Sequence, residues 1–301
     1  MRMGLQNLKD FWSLAVEAGR AWVNDGVPSM GAALAFYTLF SMAPLLLLAI
    51  SIAGLAVSAD TARDLLMNQL TSLMGEKGAS AVAAILKAAD DRTEGLVAAA
   101  VSLVTLVLGA TTVFDELRRD LDKIWHYEPP PTRGIWLHLR GRMFSVGMVM
   151  AIGFLLMVSL VVSAAVAAVS AMWAGVMPGT GIVLRALEFI GSFAVITGLF
   201  AMIYKILSSV RLAWGDVWVG AAVTSLLFWI GKWLIGIYIA RSSVASPFGA
   251  AGTLIIVIVW VYYSAQIFFL GAEFTRAYAT RYGSLQGATG AAGILKPDPG
   301  Q

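Results

Sequence analysis

The stretch Ser246–Ala279, SPFGAAGTLIIVIVWVYYSAQIFFLGAEFTRAYA, decides how the rest of the chain is read. A Ser-Pro-Phe-Gly turn opens it, and no charge follows until Glu273 and Arg276. A helix needs roughly 20 apolar residues to cross the hydrocarbon core of a bilayer, and this run is long enough. Polar side chains still recur within it. Tyr262, Gln266 and Glu273, together with Phe269, share one helix face. A helix that only anchors the chain in lipid has no use for such a face, so the spacing predicts that it turns toward other helices or a cavity.

The remaining sequence has the same character. Of 301 residues, 59% are hydrophobic and 13% charged, against about 25% charged in soluble domains. The net charge of +3 fits positive-inside topology better than nucleic-acid binding. With no cysteine, disulfides, thiolate zinc sites and cysteine nucleophiles are excluded. The two histidines, His126 and His138, form no metal-binding spacing, and no phosphate-cradling glycine loop precedes a helix. No cofactor and no metal are expected. Residues 1–28 are polar and amphipathic, with Trp12 and Trp22 suited to a headgroup region. They read as a cytoplasmic interfacial helix, or as a short helix packed on the bundle, rather than as a cleavable signal peptide.

The fold expected is all-α: a polytopic membrane bundle of six transmembrane helices with amphipathic surface helices. The membrane domain occupies 29–282, with spans at about 30–57, 95–114, 143–173, 182–207, 217–240 and 248–275. Pro44 lies inside the first span and is expected to act as a hinge, because proline removes a backbone donor and clashes with the preceding turn. An outer loop, 58–94, reads as two amphipathic helices separated by Gly75 and Gly78. A cytoplasmic loop, 115–142, begins with a charged helix in which Asp115 pairs with Arg119 and the acids at 115, 116, 120 and 122 form a solvated face. Residues 283–301 are expected to be a disordered tail. Lys and Arg concentrate in the segments this topology puts inside, notably Arg118, Arg119, Lys123, Arg133, Arg140 and Arg142, which places both termini in the cytoplasm.

Ionisable groups inside the spans are the site candidates. Lys232 shares a face with Thr224, Ser225, Phe228 and Gly236, and a cation at such depth costs about 2.5–3.5 kcal/mol on insertion scales. Its stem reaching toward water beside Trp229 and Trp233 is the competing reading. Arg185 and Glu188 either pair with each other at i,i+3, or Glu188 meets Lys232 across the bundle. Glu273 is a gate or cap candidate, or a plain partner of Arg276.

Several separated motifs, Ala35-Phe-Tyr-Thr-Leu-Phe-Ser-Met-Ala-Pro-Leu45, Trp214-Gly-Asp-Val-Trp-Val-Gly-Ala221, Gly249-Ala-Ala-Gly252, Trp260-Val-Tyr-Tyr-Ser-Ala-Gln266 and Gly271-Ala-Glu-Phe274, occur in one order. In these the chain, from about residue 25 to 282, resembles the YihY/virulence factor BrkB family, once labelled ribonuclease BN. Phe248 departs from the tyrosine usual before the glycine. The resemblance implies a six-helix protein of the bacterial inner membrane and brings no settled activity.

Two functions stay open. One is transport or translocation of an amphiphilic, lipid-like envelope substrate. The other is a non-catalytic structural or assembly role in envelope integrity, through a homo-oligomer or an envelope protein partner. The bilayer is a partner in either case; nucleic acid is not. An enzyme is not expected. Ribonuclease chemistry wants metal-holding carboxylates or an acid–base histidine pair, and His126 and His138 flank a proline-rich turn without close carboxylates.

Overall fold

The structure, a computed structural model, describes residues 2–54, 58–90, 112–127, 180–210, 212–241 and 252–286. These form α1 (Arg2–Asn24), α2 (Val27–Ala53), α3 (Ala59–Asp90), α4 (112–124), α5 (Thr180–Leu207), α6 (Trp214–Arg241) and α7 (Gly252–Arg281), with no strand among the described residues. By length and composition three segments can cross a membrane: Phe189–Leu207 of α5, Trp214–Ile239 of α6 and all of α7. A fourth arises if Lys9–Asn24 and Val27–Ala43, bent by 67°, count as one broken span. Most of the expected second span and all of the third, at 143–173, lie outside the described residues, as do His138 and residues 287–301.

The uncharged run of the sequence becomes α7, described from Gly252 and running to Arg281, past the expected end at 275, and it is the post on which the rest is built; residues 248–251 of the expected span lie outside the described residues. Helices α1, α2, α3 and α6 all pack against it. Near its start, Val257 is buried with Met74, Ala81 and Val82 of α3. In its second half, Phe268, Phe269 and Ala272 join Met30 and Leu34 of α2, Tyr204 of α5 and Ala221 of α6 in the main core. Near its end, Phe274 and Ala277 bury Leu14 and Ala18 of α1. One end of the bundle therefore carries α3, and the other carries α1 and α4.

Helix α6 crosses α7 through a reciprocal pair of small and hydroxylated residues. Gly220 lies against Thr275, and Gly271 lies against Thr224. Each threonine hydroxyl returns to its own helix: Thr224 Oγ1 donates to the Gly220 carbonyl (2.8 Å), and Thr275 Oγ1 to that of Gly271 (2.6 Å). Small residues four apart let two backbones approach closely where no water competes.

The sharp elbow of the chain lies between α1 and α2. Gly26 adopts φ 72°, a left-handed conformation that glycine alone enters without strain. Pro28 follows in the first turn of α2, where its missing N–H is not needed. Helix α2 then stays helical across position 44 to Ala53; the Pro44 side chain lies outside the described residues. Helix α3 breaks at Gly75 (φ 75°, ψ 173°), and beyond the break Lys77 Nζ donates to the Ile239 carbonyl at the end of α6 (3.3 Å).

Three expectations are corrected. Helix α4 is no solvated surface helix. Leu121 and Ile124 are wholly buried, Trp125 nearly so, and Asp120 and Asp122 are buried with them. The helix plugs the α1 end of the core beside Val27, Tyr204 and Leu212. Nor does Arg119 pair with the Asp115 carboxylate. It donates to the Asp115 carbonyl (3.2 Å) and pairs with Glu116 (2.8 Å). In addition, residues 283–286 are not loose. Ser284 donates its N–H and hydroxyl to Asp216 Oδ2 (2.7 and 2.6 Å), and Leu285 is buried.

Candidate functional site

Four ionisable side chains from three separate parts of the chain meet at the α1 end. Asp25 comes from the elbow, His126 from the end of α4, and Glu273 and Arg276 from the last turns of α7. The local cause of each placement is visible. Helix α4 closes with the His126 N–H bonded to the Lys123 carbonyl (3.0 Å) and the Tyr127 N–H to the Asp122 carbonyl (2.8 Å). This is the helix stop that demands a left-handed residue, usually glycine. Here the residue is His126, at φ 51°. Its ring is thereby set beside α7.

Arg276 joins the group. Its Nη1 lies 2.9 Å from both ring nitrogens of His126, and its Nη2 lies 3.3 Å from Glu273 Oε2. His126 Nε2 stands 3.5 Å from Asp25 Oδ2. Glu273 has no exposed surface, and the side chains of Asp25, His126 and Arg276 are exposed by only 14%, 16% and 13%. Burial alone would push the Asp25 carboxyl up. Side-chain hydrogen bonds from His126 and Glu273 and the charge of Arg276 outweigh it, leaving the group below its ordinary value. On the exposed side Lys123 Nζ donates to the Asp25 carbonyl (2.6 Å).

A second polar centre lies deeper. The Tyr204 hydroxyl, fully buried, donates to the Phe268 carbonyl (2.7 Å) and lies 3.0 Å from Thr224 Oγ1, whose single proton turns either to it or to the Gly220 carbonyl. Both hydroxyl protons are thereby used within the bundle, and the contacts hold α5, α6 and α7 together.

The third feature is unsatisfied. Gln266, on α7, faces Gly31 of α2, where any Cβ would collide with the amide. Its Oε1 and Nε2 are both buried and find no hydrogen bond among the described residues; Ser225 Oγ and Trp260 Nε1 share that condition.

Of the residues singled out from the sequence, Glu273 pairs with Arg276 as the i,i+3 spacing allows. Along the α7 stripe burial deepens, from half-buried Tyr262 to fully buried Phe269 and Glu273. Lys232 is half-buried and makes no hydrogen bond or ion pair with another described residue. Arg185 and Glu188 lie on α5, but their side chains fall outside the described residues. Sequence reasoning missed Asp25 and His126 as site residues. No group of three His, Cys, Asp or Glu suited to a metal ion occurs among the described residues.

The sequence model of the family described as "Virulence factor BrkB" matches residues 18–293. A UPF0761 membrane protein of Ralstonia nicotianae is 26% identical over 251 residues, covering 82% of this chain and 54% of its own. One from Pseudomonas aeruginosa is 24% identical over 254 residues, covering 83% and 59%. A third, from Tolumonas auensis, is 35% identical over 75 residues, 25% of each chain. This chain thus spans little more than half the length of the first two. No solved structure matches.

Proposed function

The chain belongs to the virulence factor BrkB family, and from that premise we propose that it is a six-span protein of the bacterial inner membrane, with both termini in the cytoplasm, that moves an amphiphilic, lipid-like envelope substrate. The relatives are named as membrane proteins, and the apolar α5, α6 and α7 fit a multi-pass protein; direction and substrate go beyond both. The observation that carries the proposal is the Gln266 amide, with both polar atoms buried and, among the described residues, unmet between apolar helices. In hydrocarbon an unmet polar group costs several kcal/mol, and polar groups retained inside a membrane bundle mark pathways. Parting of α2 from α7 at the close Gly31–Gln266 contact would open the amide to a polar headgroup whose acyl chains stay in lipid. Lys232, half-buried on α6, offers a charge for an anionic headgroup. No catalytic step is part of this reading.

The test is lipid movement. Purified protein is placed in liposomes with a dye-quenchable lipid in both leaflets. Quenching beyond the outer leaflet that falls in Gln266→Leu and in Lys232→Ala supports the proposal. Quenching equal to that of protein-free liposomes removes lipid scrambling and favours an assembly role. The α3 hairpin, with its exposed polar face at Glu76, Lys77 and Ser80, would then be the partner surface, and deleting residues 60–94 should abolish function while Lys232→Ala should not.

A further inference from the structure

We propose that α1 binds anionic lipid: its outer face, formed by Trp12, Val16, Gly19 and Val23, enters the leaflet at the α1 end of the bundle, and Lys9, Arg20 and Arg281 hold anionic headgroups along one edge of that face. This goes beyond the substrate reading and does not depend on it.

Helix α1 has two apolar faces, and the bundle uses one of them. Leu14 and Ala18 are buried with Phe274 and Ala277 of α7, and the Phe11 ring lies 5.5 Å from that of Phe274. Trp12, Val16, Gly19 and Val23 follow one another at helical steps, in a stripe on the far side of the helix from Leu14 and Ala18. That stripe is open. Trp12 is 71% exposed and Val23 64%, and a Cβ at Gly19 would meet nothing. An exposed stripe of tryptophan and valine suits the boundary between headgroups and acyl chains. Trp214 at the start of α6 and Tyr282 just past α7, both exposed at this same end of the bundle, mark that level on the neighbouring helices.

Direction and charge agree on what covers the stripe. Helix α2 runs back along α7, with Met30 and Leu34 in the core beside Phe268 and Ala272, and Leu39 and Met42 packed beside Val257. Helix α7 is long and apolar enough to cross a membrane, and α1 leaves the line of α2 at 67°. It therefore lies nearer the membrane plane than the normal. The charges of α1 are sorted around it. Lys9 and Arg20, both exposed, border the outer stripe, and Ser13 stands in the same row, one helical turn from Lys9. Arg281 of α7 donates to the Ser13 hydroxyl (2.6 Å) and brings a third exposed cation to that row. Asp10 and Glu17 lie further round, toward the bundle face. The edge next to the stripe thus presents cations alone. Their long stems can rest on the apolar face while the charged heads reach outward, and each Lys or Arg near an anionic leaflet adds to the attraction. A partner that is apolar at depth and negative at its rim is an anionic leaflet.

The chain has no cysteine, so Trp12→Cys, Val23→Cys and Glu17→Cys, all at exposed positions, can each carry a single nitroxide label. The full chain is placed, a single copy per nanodisc, in phosphatidylcholine alone or in an equal mixture with phosphatidylglycerol. Collision of the label with oxygen, which concentrates in lipid, is compared with collision with a water-soluble nickel chelate. In the anionic discs oxygen should dominate at positions 12 and 23, and the chelate at 17. In phosphatidylcholine alone, or with Lys9→Gln and Arg20→Gln added, the two stripe labels should shift toward the chelate. Three results overturn the proposal. The stripe labels could meet the chelate as freely as the label at 17 in anionic discs. Oxygen could dominate at the stripe equally in neutral discs, a lipid contact without selection of anionic headgroups. The stripe labels could be shielded from both probes, which would put protein rather than lipid over the face. Because Val23→Cys leaves Trp12 in place, it decides the matter even if Trp12→Cys unsettles the helix.

Discussion

Thr224 of α6 seats its hydroxyl directly on Gly271 of α7, while four residues along each helix Thr275 of α7 does the same on Gly220 of α6. The two helices thus exchange identical Gly-x-x-x-Thr steps, Gly220–Thr224 and Gly271–Thr275. Neither crossing has room for a methyl group. Gly220→Ala should lower stability by about 1–3 kcal/mol, the usual cost of overpacking. The double variant Gly220→Ala with Thr275→Ala should recover most of that loss, since the Thr275 hydroxyl bonds only its own helix. Unfolding in detergent followed by tryptophan fluorescence checks both.

Asp120 gives the bundle a pH-dependent weakness. Burial, with help from Glu116, raises its carboxyl to about 7, against the pull of Lys123 and Arg119. The unfolded chain ionises near 3.8. Folding therefore favours the protonated form. The associated stability is complete below pH 3.8 and is lost as pH rises toward 7. Asp120→Asn should be neutral at the acid end and stabilising above pH 7, by at most about 4 kcal/mol. The measurement is the melting temperature of the two proteins across that range.

Asp122 makes the opposite use of burial. Its two carboxylate oxygens accept from the Ser209 N–H (3.1 Å) and hydroxyl (2.9 Å), and Arg118 Nη2 also reaches that hydroxyl (3.3 Å). The turn between α5 and α6 is thereby tied to α4. Charge-assisted bonds of this kind contribute about 1.5–3 kcal/mol each. Asp122→Ala should raise amide exchange at residues 208–213 at least tenfold, with far less change in α7.

Lys77 caps the far end of α6 through the Ile239 carbonyl, where a cation also meets the negative end of the helix. Lys77→Met should cost about 0.3–1 kcal/mol. It should free α3, which hydrogen exchange along 76–90 would report as faster exchange while α6 below Leu234 stays protected.

Much of this was legible in the sequence because it is local. The α7 run announces itself by length and lack of charge, its inward stripe by the steps from Tyr262 to Glu273, and the Glu273–Arg276 pair by i,i+3 spacing. The α3 break is written in Gly75. What escaped depends on distance along the chain. Asp25 and His126 look like a turn residue and a helix-stop residue, which they are. Nothing in a single sequence says that both stops deliver their side chains to the same turn of α7. Helix α4 misleads for a related reason. Its acids alternate with bases as on a solvated face, yet Leu121, Ile124 and Trp125 claim the core on one side and Ser209 draws Asp122 in on another.

The distribution of ties along α6 has a mechanical consequence. Near its start, Asp216 is bound to Ser284 and Thr224 to Tyr204. Over its last four turns the one polar tether to another described element is Lys77 on Ile239. Among the described residues, helix α6 is therefore a rod pinned by polar ties at one end and guyed by one line at the other. It resists sliding along its axis, and with that line slack the far end is held by apolar packing alone, as at buried Ile235 and Ile239.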